Sequence, residues 1–154
     1  MRTVIQRVSS ASVRVEGQTV AHIERGLLVL AAIMKGDRIE HDVLPVADRV
    51  ASLRIFADER GKLNLAPRDV GGMVLVVSQF TLAGNLSRGR RPEFLSAESS
   101  ERARELVLTF AQRLRQHGLV VEQGVFGANM QVELVNDGPV TLWLDSQELR
   151  GGRA

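Results

Sequence analysis

The apolar run Met73-Val74-Leu75-Val76-Val77 leads straight into Ser78-Gln79-Phe80-Thr81-Leu82. Polar residues there are unexpected if the segment serves only as core. Along an extended strand, Ser78 and Phe80 share one face while Gln79 and Thr81 share the other. No single face presents all four, so the strand is expected to bend or stop here. Backbone N–H groups released by such a break can stabilise an oxyanion. The plainer reading is a strand end whose hydroxyls are satisfied locally. Ser78 and Thr81 are formal nucleophiles, but neither has an evident side-chain base, which argues against a covalent mechanism.

Two further stretches invite a chemical reading. Asn136-Asp137-Gly138-Pro139 lies between the strand-like runs Met130 to Val135 and Val140 to Leu144. Asp-Gly between such runs is a hairpin signal. Pro139 complicates it, because proline offers no N–H and pushes Gly138 away from helical dihedrals. Gly-Pro also lowers the cost of a cis peptide. The segment reads either as a surface corner or as a rigid backbone corner that is itself a working part. Arg88-Gly89-Arg90-Arg91-Pro92 is the densest positive cluster. Such clusters grip phosphates, although a solvated loop has the same composition.

The familiar catalytic sets are missing. There is no cysteine, hence no disulfide, thiolate nucleophile or cysteine metal site. The histidines, His22, His41 and His117, are far apart in the chain and form no H-E-x-x-H pattern, so no metal site is expected. No G-x-G-x-x-G or Walker pattern follows a strand, and no cofactor is expected. Net charge is +2, and all basic residues except Lys35 and Lys62 are arginine, the side chain suited to bidentate phosphate contacts. The start of the chain lacks the apolar core of a signal peptide, and no apolar run reaches the roughly 18 residues of a membrane span. A cytoplasmic protein with no membrane association is expected.

These residues need a scaffold, and the pattern provides one. Thr3 to Val8 reads as a strand, and a half-exposed hairpin turns at Glu16-Gly17 and returns over Thr19 to Ile23. Leu27 to Ile33 and Met73 to Val77 read as strands buried on both faces. Asp37 and Glu40 suggest a capping box, followed by helical spacing through Val50 that Pro45 interrupts; a kink or a start near Pro45 is expected. Leu53 to Phe56 and Lys62 to Leu65 read as short paired strands. Ala97 to His117 is the best helix, with one stripe through Leu106, Phe110 and Leu114. Leu119 to Val125, Met130 to Val135 and Val140 to Leu144 complete the set. The expectation is a single domain over residues 1–154 of the α+β class. Its mixed, curled or barrel-like sheet has about eight strands covered by two main helices.

Ser78-Gln79-Phe80-Thr81-Leu82 and Asn136-Asp137-Gly138-Pro139-Val140-Thr141 resemble the two signature motifs of the D-aminoacyl-tRNA deacylases. The resemblance extends collinearly from Met1 to about Ser146, through Val4-Ile5-Gln6-Arg7-Val8, Gly89-Arg90-Arg91-Pro92 and Gly124-Val125-Phe126-Gly127-Ala128-Asn129-Met130. It implies a homodimer that hydrolyses the ester joining a D-amino acid, or glycine, to the 3′ end of tRNA. It implies a pocket lined by Ser78, Gln79, Phe80 and Thr81, largely through backbone groups, with Asn136, Met130, Ala128 and Gly127 nearby. It implies a cis Gly138-Pro139 unit inserted into the partner subunit's site to exclude L-amino acids. Arg88, Arg90 and Arg91 would contact tRNA. An aminoacyl ester is already activated, so positioned donors and an oriented water suffice without a catalytic side chain. The rival expectation is a non-catalytic RNA-binding module that uses the arginine loop.

Overall fold

The computed structural model describes residues 1–87 and 89–150. The sheet is built on β1 (Arg2–Val15). One edge of β1 pairs antiparallel first with β3 (Gly26–Ala32) and then with β2 (Gln18–Ile23). Its other edge pairs antiparallel with β8 (Gln131–Asp145) from Arg2 to Arg14. β6 (Met73–Ser78) lies parallel to β3, and β7 (Val120–Gln123) parallel to β6. The order is β2-β1-β3-β6-β7, with β8 on β1. β2 comes round to face β6 and β7, so the mixed sheet curls into a barrel-like form. β4 (Phe56–Ala57) and β5 (Leu63–Leu65) form a separate small hairpin.

Parallel neighbours require crossovers. Helix α1 (Leu44–Ser52) lies in the crossover from β3 to β6, and α2 (Ser100–Gln116) in that from β6 to β7. Both pack on one face of the sheet: Val46, Ala47 and Val50 meet Leu106, Phe110 and Leu114 over Ile5, Leu27, Val29, Val74 and Val76. The opposite face closes on itself around Val8, Val13, Ile23, Leu28, Leu75 and Val77. β3 and β6 are therefore buried on both faces, which is why their sequences are unbroken apolar runs.

The start of α1 near Pro45 is as expected, whereas the expected cap changes. Pro45 stands in the first turn of α1, where its missing N–H costs nothing, behind a π-helical turn over Ile39–Val43. Asp37 is not the helix cap. Its Oδ2 accepts from the Met34 N–H at 2.6 Å and lies 2.7 Å from the Met1 ammonium. Asp42 takes the capping role instead, accepting from the Arg38 N–H at 2.9 Å. Asp42 is fully buried. Burial alone would push its carboxyl up, but hydrogen bonds from Ser146, the Arg38 N–H and Arg150 hold it below the usual carboxylate value. Ser146 opens the terminal helix α3 (Ser146–Arg150). Its Oγ accepts from the Met1 ammonium at 2.7 Å and donates to Asp42 Oδ1 at 2.6 Å.

The largest correction concerns residues 136–140. The expected hairpin corner is absent, because β8 runs through it as one strand. Val8 pairs with Asn136 and Gln6 with Thr141, so two steps on β1 face five on β8, and three extra residues bulge out opposite Arg7. The long partner strand β1 overrides the local Asp-Gly signal. The Asn136 Nδ2 donates to Arg7 O at 2.9 Å and Val140 O at 3.1 Å, and Asn136 Oδ1 accepts from the Thr141 hydroxyl, closing the base of the bulge. No peptide bond is cis among the described residues, so Gly138-Pro139 is trans, against expectation. The trans form is the ordinary preference of an X–Pro bond. The backbone of the bulge turns at Gly138, where φ is +96°.

Candidate active site

A cavity of about 500 Å³ opens at the C-terminal ends of the parallel strands β3 and β6. Strand ends of parallel sheets are a general place for ligands, because backbone groups there are released from the ladder. β3 contributes Ala31, Ala32 and the following Ile33, and β6 contributes Val77 and Ser78. Ala103 and Val107 come from α2, and Phe126 to Met130 from the loop between β7 and β8.

β6 stops where the sequence turns polar. Gln79 N–H still donates to Ala31 O at 2.7 Å, so this amide is not free. The chain then leaves the sheet at Gln79 and winds into a 3-10 turn over Phe80–Ala83. In the first turn of such a helix the N–H groups have no intrahelical acceptor. Here these are the amides of Phe80 and Thr81, and of the two residues Phe80 lines the cavity. The break thus shifts the donors one or two residues beyond Gln79.

Ser78, Gln79 and Phe80 line the cavity together with Gly127, Ala128 and Met130. Thr81 does not; its hydroxyl accepts from the Gln79 side chain just outside. Phe80 is 60% exposed and packs edge-to-face on Phe94, with centroids 5.2 Å apart. That contact ties the cavity rim to the loop carrying Arg90 and Arg91, both exposed. Arg88, the third expected tRNA contact, lies outside the described residues. Asn136, Gly138 and Pro139 are not part of this chain's own cavity wall. The Gly138-Pro139 bulge is exposed, and Arg7 holds it: Nε donates to Asp137 O at 3.0 Å while the other end of the guanidinium donates to Ile55 O.

Residues not singled out in sequence complete the site. Phe126 forms a wall, with the Arg104 guanidinium 4.9 Å from its ring centroid. Glu98 is the only ionisable residue of the lining among the described residues. Phe126 stood next to Gly127 and Ala128, and that adjacency was the available signal; Ala103 and Val107 looked like core helix positions. None of the histidines reaches the cavity. His22 pairs with Glu24, and His117 Nε2 lies 2.7 Å from Asp48 Oδ1. Hydrogen bonds from Arg113, against the opposing effect of burial, and from His117 hold the Asp48 carboxyl below its usual value. Among the described residues, no group of three His, Asp or Glu side chains converges as metal ligands. No helix there is long and apolar enough to cross a membrane.

The curled α+β sheet thus carries its cavity at the polar break that ends β6. A family model described as D-Tyr-tRNA(Tyr) deacylase matches residues 4–145. A D-aminoacyl-tRNA deacylase from Magnetococcus marinus is 58% identical over 146 residues, covering 94% of this chain and 96% of its own. One from Paracoccus denitrificans is 56% identical over 148 residues, covering 96% and 99%. A solved structure described as c-Myc DNA Unwinding Element Binding Protein superposes with TM-score 0.87 at 38% identity, covering 94% of this chain and 98% of that one. A probable eukaryotic D-amino acid tRNA deacylase shares the fold, with TM-score 0.79 at 18% identity over 94% of this chain and 98% of that one. The chain belongs to the D-Tyr-tRNA(Tyr) deacylase family of hydrolases.

Proposed function

We propose that this protein hydrolyses the ester between a D-amino acid, or glycine, and the 3′ end of tRNA, acting as a cytoplasmic homodimer. The observation that carries the reading is the strand break at Ser78-Gln79. It leaves the Phe80 amide without a backbone acceptor at the wall of a cavity large enough for an aminoacylated ribose, with the Thr81 amide next along the turn. Water adds to the ester carbonyl, and the oxyanion forms against these amides. The bond from the carbonyl carbon to the ribose oxygen then breaks, that oxygen takes the proton, and free amino acid and tRNA leave. The neighbouring ribose hydroxyl orients the water or relays the proton, a role for which the cavity offers no histidine.

Selection between enantiomers falls to Gly138-Pro139 of a second copy. Three features support this. The bulge is exposed, stands away from its own chain's cavity, and is braced by Arg7. β8 pairs only with β1 among the described residues and exposes Val135, Leu142 and Trp143. A long apolar strand edge of this kind calls for a partner. A backbone wall facing Cα admits the hydrogen of a D-residue and rejects the larger group of an L-residue. Glycine, with no side chain, passes. Release of D-tyrosine but not L-tyrosine from charged tRNA by the purified protein tests the activity, and sedimentation tests the dimer. Equal release of both enantiomers would remove the chiral filter, and no release would remove the deacylase reading.

A nucleic-acid-binding role is the second reading, favoured by the name of the 38% identical structure. Titration with single-stranded DNA beside uncharged tRNA separates the two.

A further inference from the structure

Ester hydrolysis uses the backbone amide of Phe80 and leaves its ring, exposed at the cavity wall, without a role. The chain beyond it forms a loop with a fixed base. Asn85 and Glu93 exchange backbone hydrogen bonds of 2.8 and 3.1 Å. Phe94 packs on Phe80 and lies against Gly84, where an added Cβ would come 3.1 Å from the Phe94 ring. The Ser96 hydroxyl donates to Ala83 O at 3.1 Å, and the Lys35 N–H donates to Ser96 O at 2.9 Å. The loop is thus tied to the turn after β6 and to the segment after β3. Leu86 and Leu95 are each 75% exposed, more than any other large apolar side chain among the described residues. Arg90 and Arg91, also exposed, lie between them in the chain. Apolar side chains presented to water beside fixed charge mark a contact surface.

We propose that this loop, together with the Phe80 ring, docks the unpaired nucleotides that precede the esterified adenosine at the tRNA 3′ end. This rests on the deacylase reading. An unpaired strand fits better than a duplex, because its bases have free faces for apolar side chains, whereas paired bases are already stacked. The guanidiniums of Arg90 and Arg91 suit the phosphates between those bases. Phe80 belongs to both the cavity wall and the base of the loop, so a strand whose last ribose lies in the cavity has this surface beside its exit. A second copy of the chain is a poorer occupant. Two such loops meeting would set Arg90 and Arg91 against their own copies. Stacking accepts any base, so the loop recognises the unpaired state and not the base sequence.

The test compares the native protein with the double variant Leu86→Ser, Leu95→Ser, in which only exposed side chains change. The substrates are D-tyrosyl-tRNA and D-tyrosyl-adenosine, which share the ester and the terminal adenosine but differ in the preceding nucleotides. The variant should lose about tenfold in kcat/KM on the tRNA ester, through KM, and stay within about twofold of native on the adenosine ester. Binding is read separately with uncharged RNA hairpins that are blunt or carry a single-stranded 3′ overhang. The native protein should hold the overhang form at least about fivefold more tightly, and the variant should hold both alike. Equal losses on the two esters, or an overhang preference that the variant keeps, would overturn the proposal. So would an undiminished rate on the tRNA ester, and a changed sedimentation coefficient in the same variant would then assign the leucines to a contact between copies. Release of D-tyrosine from neither ester by the native protein would strike the deacylase reading, while the hairpin comparison would still decide the docking surface.

Discussion

The guanidinium of Arg7 and the backbone of Gly138 occupy adjoining space. Arg7 Nε donates to the carbonyl of Asp137 at 3.0 Å, and the Asp137 carboxylate lies 3.7 Å from the same nitrogen. A Cβ placed on Gly138 would overlap Arg7 Nη2. Because Arg7 also reaches Ile55 O, the bulge on β8 is tied to the segment that follows α1. The exposed bulge is thus held from beneath.

Gly138→Ala should be strained chiefly through its backbone, since φ is +96° at this position, and the new methyl group would also displace the tip of Arg7. A residue forced into such a conformation costs about 1–3 kcal/mol. The expected result is a thermal midpoint several degrees lower and a D-to-L discrimination ratio reduced at least tenfold. Deacylation of matched D- and L-tyrosyl-tRNA measures the ratio. An undiminished ratio would mean that the bulge is not the chiral wall.

Removing the hydroxyls of Ser78 and Thr81 together should leave turnover within about tenfold of native. The oxyanion donors are backbone amides, and removing one such donor in other enzymes costs about 10²–10³. Single-turnover kinetics of the double alanine variant, with substrate binding measured separately, provide the check. Abolished turnover with intact binding would return the chemistry to a side chain.

Ser146→Ala removes a hydroxyl that bridges the Met1 ammonium and the buried Asp42 carboxylate. Hydrogen bonds to charged groups contribute about 1.5–3 kcal/mol, so urea denaturation should show a loss of that size. The Asp42 carboxyl titrates below its usual value. Its folded-state pKa is therefore below the unfolded value of about 3.9, and its stabilising contribution is complete above that pH. The contribution is lost as pH falls through the folded-state value. Asp48 acts with the same sign. Stability should show no Asp42-linked change from about pH 5 to 8 and should decline below about pH 4. Asp42→Asn should lower stability at neutral pH and flatten the acid decline.

Neutralising Arg90 and Arg91 should raise KM for charged tRNA and leave kcat nearly intact. Both side chains are exposed on the loop beyond Phe80. Each lost phosphate contact should lower the slope of log affinity against log salt by about 0.7–0.9. An unchanged slope would place tRNA on another face.

Local pattern made β3 and β6 legible because each is an unbroken apolar run entered through glycine. The stripe on α2 was legible for a similar reason, and so was the arrest of β6 at Ser78. Asp37 misled because a capping signal cannot reveal a competing partner 36 residues away, the Met1 ammonium. The Asp-Gly-Pro segment misled in the same manner. Its own residues favour a turn, but β1 offers β8 a continuous ladder on both sides of it.

By itself the sequence determined the strand and helix segments, the polar break at Ser78-Gln79 and the two motifs that carry the family resemblance. These depend on residues close together in the chain, where periodicity and backbone preference act directly. Only the tertiary structure decided that the cavity joins Ile33, Glu98, Phe126 and Met130, and that the Gln79 N–H is occupied while the Phe80 and Thr81 amides have no backbone acceptor. It also decided that the trans Gly138-Pro139 bulge rests on Arg7 and stands apart from its own cavity. Those relations arise when the sheet curls and two crossover helices bring distant segments together, and no local spacing encodes them.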